Sequence, residues 1–428
     1  MPIVPVIEDE RSNPVVAYLG PDIPARSATF MHEELLALER RGLSIRPFTV
    51  RRPEHLAIGQ EALARRTIVL VDRPHALVLV GLRALWSFGK GTRRALGWLV
   101  QDLISVGLHR SAAWKLPFHW LLGARLAEAL VRERCTHLHV HFAHSPAQIA
   151  MYASALTGVP FTIMAHANDI FERGLLLPQK ALRAAKLMTV SQYNLAFLES
   201  IGVPKDRLAL VRCGVSFASR PDVPIQVNKS SYRVGTLCRL VEKKGVDDLL
   251  RAIALLQSEP SEVHLSIAGD GPLRGELERL ASELGLRSRV TFIGGLDHAS
   301  VHRWLASLDI FCLACKKDSN GDMDGIPVVL MEAMSQHVPV VSTRLSGIPE
   351  LVVHGRTGLL APPADPPIVA RELRRLMNDP ALRARLAAAA AEHVQAEFGQ
   401  QLNLDRLLGY VKASSPEGSR QPECATTS

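Results

Sequence analysis

Short runs of Val, Ile, Leu and Phe alternate along this chain with stretches in which apolar residues recur every three or four positions. The first pattern is that of a buried strand, the second that of a helix with one apolar face. Strand, turn and helix repeated in this way predict a parallel α/β sheet. The rhythm is clearest in the second half. Strands are expected at 233–239, 263–269, 290–294, 309–313, 338–342 and 358–361, with helices at 246–257, 272–285, 298–307, 326–336 and 366–378. That succession makes one doubly wound domain.

The first half repeats the theme less cleanly, with strands expected at 14–19, 44–50, 67–72, 137–142, 160–164, 187–190 and 208–212 and a helix over Ser27–Arg41. The stretch 216–230 carries Pro and Ser without periodicity and reads as a linker. The domains expected are therefore 1–215 and 228–395, with helical residues 396–412 returning to the first domain and a polar, disordered tail at 414–428.

Region 74–130 breaks the rhythm. It is helical in pattern and holds Trp86, Trp98, Trp114 and Trp120 among Arg83, Lys90, Arg93, Arg94, Arg110, Lys115 and Arg125, with Asp102 and Glu128 the only acids. Basic residues mixed with Trp suit an anionic membrane surface. The same pattern also fits helices that cover the first sheet and bury their Trp.

Composition narrows the partners. A chain of 428 residues, 47% hydrophobic, is globular and long enough for two cores. A net charge of +8 favours anionic partners, but no nucleic-acid recognition motif accompanies it. Six scattered cysteines suit reduced thiols in the cytoplasm. The N-terminus, MPIVPVIEDERSNP, has acids where a signal peptide needs basic then apolar residues, so no secretory segment is expected. The apolar run 76–82 falls short of a membrane span.

Five loops carry candidate chemistry. In the run 324–334, DGIPVVLMEAM, Gly325 and Pro327 turn a loop into a helix whose N-terminal N–H groups can hold a phosphate or sugar hydroxyls. Asp324 and Glu332 stand eight residues apart, which on a helix puts both carboxylates on similar faces, suited to vicinal diols. Arg239 and Lys244 follow the first strand of the second domain, placed to hold a diphosphate and to neutralise it as it leaves. Gly269 in AGDGPLR and Gly294 in IGGL end the next two strands at the same sheet edge. In the first half, His166 follows an apolar strand and precedes Asn168 and Asp169.

Three lookalikes are set aside. His137, His139, His141 and His144 have no Cys or carboxylate within their run to complete a metal shell. Cys312 and Cys315 lack a second pair. Asp322-Met323-Asp324 has basic neighbours that make a cation unnecessary. No metal and no cofactor is expected.

From about Tyr18 to Ala396 the chain resembles the retaining glycosyltransferases of family 4. The motifs that carry the likeness are RLVEKKG at 239–245, AGDGPLR, the block 324–334, VVST at 340–343, GIPELV at 347–352 and GRTGLL at 355–360. The family implies the GT-B fold, two Rossmann-like domains facing across a cleft. Arg239 and Lys244 would bind the donor diphosphate and Glu332 the ribose. The backbone of Gly325, Ile326 and Pro327, with Asp324, would contact the transferred sugar, Val329 and Leu330 would also belong to the donor site, and His166 would lie near the reaction centre. The family pattern has Glu where this chain has Asp324, one methylene shorter.

In the first half, Ser27-Ala28-Thr29-Phe30 ahead of an acidic helix, HFA at 141–143 and AHANDIF at 165–171 resemble enzymes of colanic-acid-type exopolysaccharide assembly. That likeness implies acceptor contacts at Arg26, Ser27 and His141. It also implies a UDP- or GDP-linked donor, a polyprenyl-diphosphate-linked saccharide acceptor, and a monomer on the inner face of the cytoplasmic membrane. A sugar-nucleotide epimerase of the same fold and a non-catalytic sugar-nucleotide or nucleic-acid binding protein are the alternatives.

Overall fold

The computed structural model describes residues 14–24, 29–53, 56, 60–71, 76–215 and 230–414. Arg26, Ser27, nearly all of the expected linker and the polar tail lie outside the described residues.

The first half runs β1 (Val15–Asp22), α1 (Thr29–Arg40), β2 (Ser44–Arg51), α2 (Glu61–Arg66), β3 (Ile68–Val69), α3 (Ala76–Ser87), α4 (Lys90–Val106), α5 (Leu116–Arg132), β4 (His137–His141), α6 (Ser145–Thr157), β5 (Phe161–Ala165), α7 (Ala167–Phe171), α8 (Leu177–Arg183), β6 (Lys186–Thr189), α9 (Gln192–Ser200) and β7 (Leu208–Leu210). Its sheet has the order β3-β2-β1-β4-β5-β6-β7. β1 is paired in parallel with β2 on one side and β4 on the other. The order therefore reverses between β1 and β4. β4 and β5 are buried along their whole length, as the covered strands of a parallel sheet must be.

The second half runs β8 (Ser231–Leu237), α10 (Val246–Ala254), β9 (Glu262–Ala268), α11 (Arg274–Glu283), β10 (Val290–Gly294), α12 (His298–Ala306), β11 (Ile310–Cys312), α13 (Val328–Ser335), β12 (Val340–Thr343), α14 (Ile348–Leu351), β13 (Leu359–Ala361), α15 (Pro366–Asn378), α16 (Pro380–Phe398) and α17 (Gln400–Ser414). Its sheet has the order β10-β9-β8-β11-β12-β13, reversing between β8 and β11. One apolar cluster joins this sheet to α10, α11 and α15 through residues such as Leu249, Leu277 and Leu373. A second joins it to α12, α13 and α14 through Leu305, Leu330 and Leu351. Both architectures are the Rossmann-like sheets expected.

By its contacts the chain divides into two units. One comprises Met1–Met164, Leu175–Leu187 and Leu407–Ser428; the other comprises Ala165–Gly174 and Met188–Arg406.

The helical residues expected at 396–412 fall on two helices, the end of α16 and most of α17. Gly399 is extended and bridges Val215, whose N–H donates to the Phe398 carbonyl at 3.0 Å. That pairing takes the backbone out of the helix. The strand expected at 67–72 shortens to Ile68–Val69, paired in parallel with β2.

Candidate active site

In open α/β sheets ligands bind beyond the carboxyl ends of the strands, at the point where strand order reverses. In the second sheet that point lies after β8 and β11. β8 leads into a 3-10 turn at Glu242–Lys244. Gly245 closes the turn with φ 61°, and a Cβ there would stand 1.8 Å from the Ala314 carbonyl oxygen. Only glycine lets the lysine turn lie against the end of β11. The Lys316 N–H donating to the Lys243 carbonyl at 2.9 Å holds it there.

The chemistry converges on this contact. Lys244 Nζ donates to Asp324 Oδ2 at 2.7 Å, and Lys243 Nζ to Asp322 Oδ2 at 2.6 Å. Lys243 also stands 3.8 Å from Asp324 Oδ1. The Cys315 thiol donates to Asp324 Oδ2 at 3.3 Å. The Lys244 and Asp324 side chains keep only 16% and 13% of their exposure, so their attraction is little screened. Burial presses Lys244 towards the neutral amine, but Asp324 outweighs it and the ammonium is held above its ordinary range. Burial likewise raises Asp324, and Lys244 and Lys243 reverse the sign, keeping the carboxylate ionised. Burial and Asp324 hold the Cys315 thiol well above its ordinary value, and burial pushes Cys238 up to about 12. Both sulfurs are thus protonated and poor nucleophiles.

Arg239 lies two residues past β8 and is exposed. Pro327 is the N-cap of α13 and has no side chain to cap with, which leaves the first turn of that helix without a side-chain partner at its N-cap. The helical spacing read for Asp324 and Glu332 does not hold: the helix begins only at Val328, so Asp324 sits in the loop before it and Glu332 one turn inside. The loop is bent back by its lysine contacts, and the tertiary fold, rather than helical periodicity, brings Asp324 to the site. Leu330 and Ile326 point into the core, with 0% and 7% exposure, so their backbones alone are placed for a ligand. Val329 is half-buried. Gly269 and Gly294 tie two strand ends together, the Gly269 N–H donating to the Gly294 carbonyl at 2.7 Å. Gly269 has φ 111° and no room for a Cβ against the Cys238 carbonyl, which makes it a structural turn.

The segment after β5 lies against this loop. A Cβ on Gly325 would be 3.5 Å from both Ala167 and Val190, and Asn168 Nδ2 donates to Asp322 at 3.4 Å. His166 forms the N-cap of α7, its N–H donating to Asp169 Oδ1 at 2.9 Å. Close by, the Glu350 carboxylate accepts from the N–H groups of Gln192 and Tyr193 at 3.0 Å each and pairs with Arg212 at 2.8 Å. It caps the N-terminus of α9 and so locks GIPELV to that helix and to Arg212. Glu350 was legible only as part of a motif. Lys243 gave no sequence signal beyond standing beside Lys244, and Cys315 was visible only in the Cys312/Cys315 pair that was set aside.

In the other unit, His141 is the last residue of β4 and is fully buried. Its Nε2 lies 2.8 Å from both the Tyr18 hydroxyl and Glu34 Oε1. The imidazole expected to touch an acceptor instead faces inward. The His137 and His139 rings share the Thr162 hydroxyl at 3.0 and 2.9 Å. The carboxylate missing from the histidine run in sequence arrives from α1 as Glu34, within 4.8 Å of both His139 and His141 ring nitrogens.

The model of the glycosyl transferases group 1 matches residues 222–393, and that of glycosyltransferase family 4 matches residues 70–218. The chain belongs to the family 4 glycosyltransferases. This glycosyltransferase is 27% identical over 404 residues to the putative colanic acid biosynthesis glycosyltransferase WcaL of Escherichia coli K12, covering 91% of this chain and 97% of that one. It is 30% identical over 271 residues to the amylovoran biosynthesis glycosyltransferase AmsK of Erwinia amylovora, covering 62% and 66%. Anabaena HepE, solved in complex with UDP, superposes with a TM-score of 0.69 at 16% identity, over 93% of this chain and 99% of that one. That likeness shows the GT-B fold.

Proposed function

We propose that this glycosyltransferase moves a hexosyl group, with retention, from a UDP- or GDP-linked donor to a hydroxyl of a polyprenyl-diphosphate-linked saccharide in exopolysaccharide assembly. The observation that carries the reading is the buried Lys244–Asp324 pair at the switch point of the second sheet. A diphosphate entering there competes with Asp324 for Lys244 and meets Arg239 and the uncapped start of α13. Charge on the departing diphosphate is stabilised by cations already gathered at the site. Asp322 and Asp324 each have a lysine partner, so the lysines supply the charge and the reaction needs no metal. Cys315 and Cys238 are protonated, which favours same-face attack assisted by the leaving phosphate over a thiolate double displacement. Support for a uridine donor comes from HepE, which has also been solved with UDP-glucose. The closure expected of two such domains would exclude water.

The helices of region 74–130 support a peripheral membrane location for a monomer. No helix among the described residues is long and apolar enough to cross a membrane. Yet Leu79, Leu82 and Trp86 on α3, Val100 and Ile104 on α4, and Leu108 and Trp114 beyond it are exposed by 53–88%. Arg83, Lys90, Arg93, Arg110 and Lys115 are exposed among them, while Asp102 is fully buried against Arg183. An apolar face ringed by cations, with Asp102 buried and Glu128 half-buried, fits the interface of an anionic bilayer. The Trp residues divide: Trp120 is core, Trp98 stacks under Arg183, and Trp86 and Trp114 face outward.

The test is release of nucleoside diphosphate from a panel of UDP- and GDP-hexoses, with and without a lipid-linked acceptor. Release from at least one donor, with the product's anomeric configuration matching the donor's by NMR, is the expected result. No release from any donor would refute the donor assignment, and inverted product would refute retention.

A further inference from the structure

The first sheet has its own switch point, between β1 and β4, and a polar cluster sits at it that the donor chemistry does not use. Tyr18 comes from β1, His139 and His141 from β4, and Glu34 from α1. Glu34 Oε1 accepts from the Tyr18 hydroxyl at 2.9 Å, lies 2.8 Å from His141 Nε2 and 3.8 Å from His139 Nε2. The rings keep 1% of their exposure or less, whereas the Glu34 side chain keeps 17%. Glu34 is therefore the member of this cluster that keeps some solvent exposure, and its Oε1 makes the contacts to Tyr18, His141 and His139. Burial pushes the Glu34 carboxyl up, but His141, with His139 and Tyr18, outweighs burial and brings it down to about 2. Immediately after His141 the chain makes a left-handed step at Phe142, φ 72°, a conformation that costs energy for a bulky residue and that collects at functional sites.

We propose that Glu34 binds the acceptor saccharide, its carboxylate accepting hydrogen bonds from sugar hydroxyls, with His141 and Tyr18 as positioning residues behind it. The inference rests on the transferase reading above and adds to it the chemical class recognised by the first sheet: a neutral diol. A carboxylate so readily ionised is a weak base, so it recognises and orients the acceptor and takes no proton from it. The same geometry moves the acceptor contact from His141, which is buried, to Glu34, which is not.

The experiment uses the full chain with octyl β-D-hexosides and their monodeoxy analogues as acceptors, and follows nucleoside diphosphate release. If the wild type releases none, the transferase reading fails before Glu34 is tested. Otherwise Glu34→Gln should raise the acceptor KM about ten- to a hundredfold, the usual loss for a hydrogen bond to a charged group. Donor KM and acceptor-independent donor hydrolysis should change less than about twofold. The wild type should discriminate against one deoxy analogue, and Glu34→Gln should lose that discrimination. Should the glutamine variant fold poorly, Glu34→Asp keeps the charge but withdraws the oxygen, and the same loss of discrimination is expected. An unchanged acceptor KM, or acceptor and donor reactions falling together, would overturn the proposal. So would activity that requires a divalent ion in the wild type and not in Glu34→Gln, which would make the carboxylate a metal ligand.

Discussion

Removing Lys244 separates its two roles. In Lys244→Ala the diphosphate loses a charge-assisted partner, worth about 2–3 kcal/mol, so kcat/KM should fall about 30- to 150-fold. The fold loses something different. Asp324 keeps only the Cys315 thiol and Lys243 at 3.8 Å, and a carboxylate stripped of its buried partner costs up to about 3–5 kcal/mol. The sign with pH follows from the causes of the shift. In the wild type the folded carboxyl lies below its unfolded value, so its contribution is present at neutral pH and fades as pH falls through the folded value. Without Lys244, burial dominates and the folded carboxyl rises above the unfolded one. The variant then loses stability as pH rises and ionisation is forced. Thermal melts from about pH 4 to pH 8 should show the gap between wild type and variant widening with pH and nearly closing in acid. Lys244→Ala/Asp324→Ala should recover much of the lost stability without recovering turnover. A gap independent of pH would refute the ion pair as the source of stability, and kcat/KM within about threefold of wild type would refute the diphosphate role.

Other outcomes are equally open to measurement. Glu34 stabilises the fold fully above its ordinary carboxyl range, and about 3 kcal/mol should be lost as pH falls from about 4.5 to about 2; urea titrations of Glu34→Gln should lack that loss. Trp86→Ser/Trp114→Ser should lower binding to vesicles containing phosphatidylglycerol by about tenfold or more while leaving turnover on a soluble acceptor intact, and unchanged sedimentation with vesicles would remove this face from the membrane. Glu350→Ala takes away both the cap of α9 and the partner of Arg212; a loss of about 2–4 kcal/mol in chemical denaturation is expected, and a loss below about 0.5 would show that the lock contributes little.

The alternation of apolar runs and amphipathic stretches was enough to place nearly every strand and helix of the second domain, because each is a local pattern of period two or 3.6 bounded by Gly or Pro. Helix α15 was legible to the residue for that reason, with Asp365 capping and Pro at its start. The loops at the carboxyl ends of the strands were legible too, since a doubly wound sheet sends them to one edge. Lys244 and Asp324 could be named as site residues, but their pairing joins positions 80 residues apart and was not. The pairing of Glu34 with His141 spans 107 residues and joins a helix to a strand, so the histidine run read in isolation had no carboxylate beside it. Region 74–130 shows the same limit: composition marked it as basic and Trp-rich, and packing alone decided that Trp120 is core while Trp86 faces outward. A sequence fixes which groups are available and what local shape carries them; which side chain meets which is settled by long-range contacts, whose energy no local window contains.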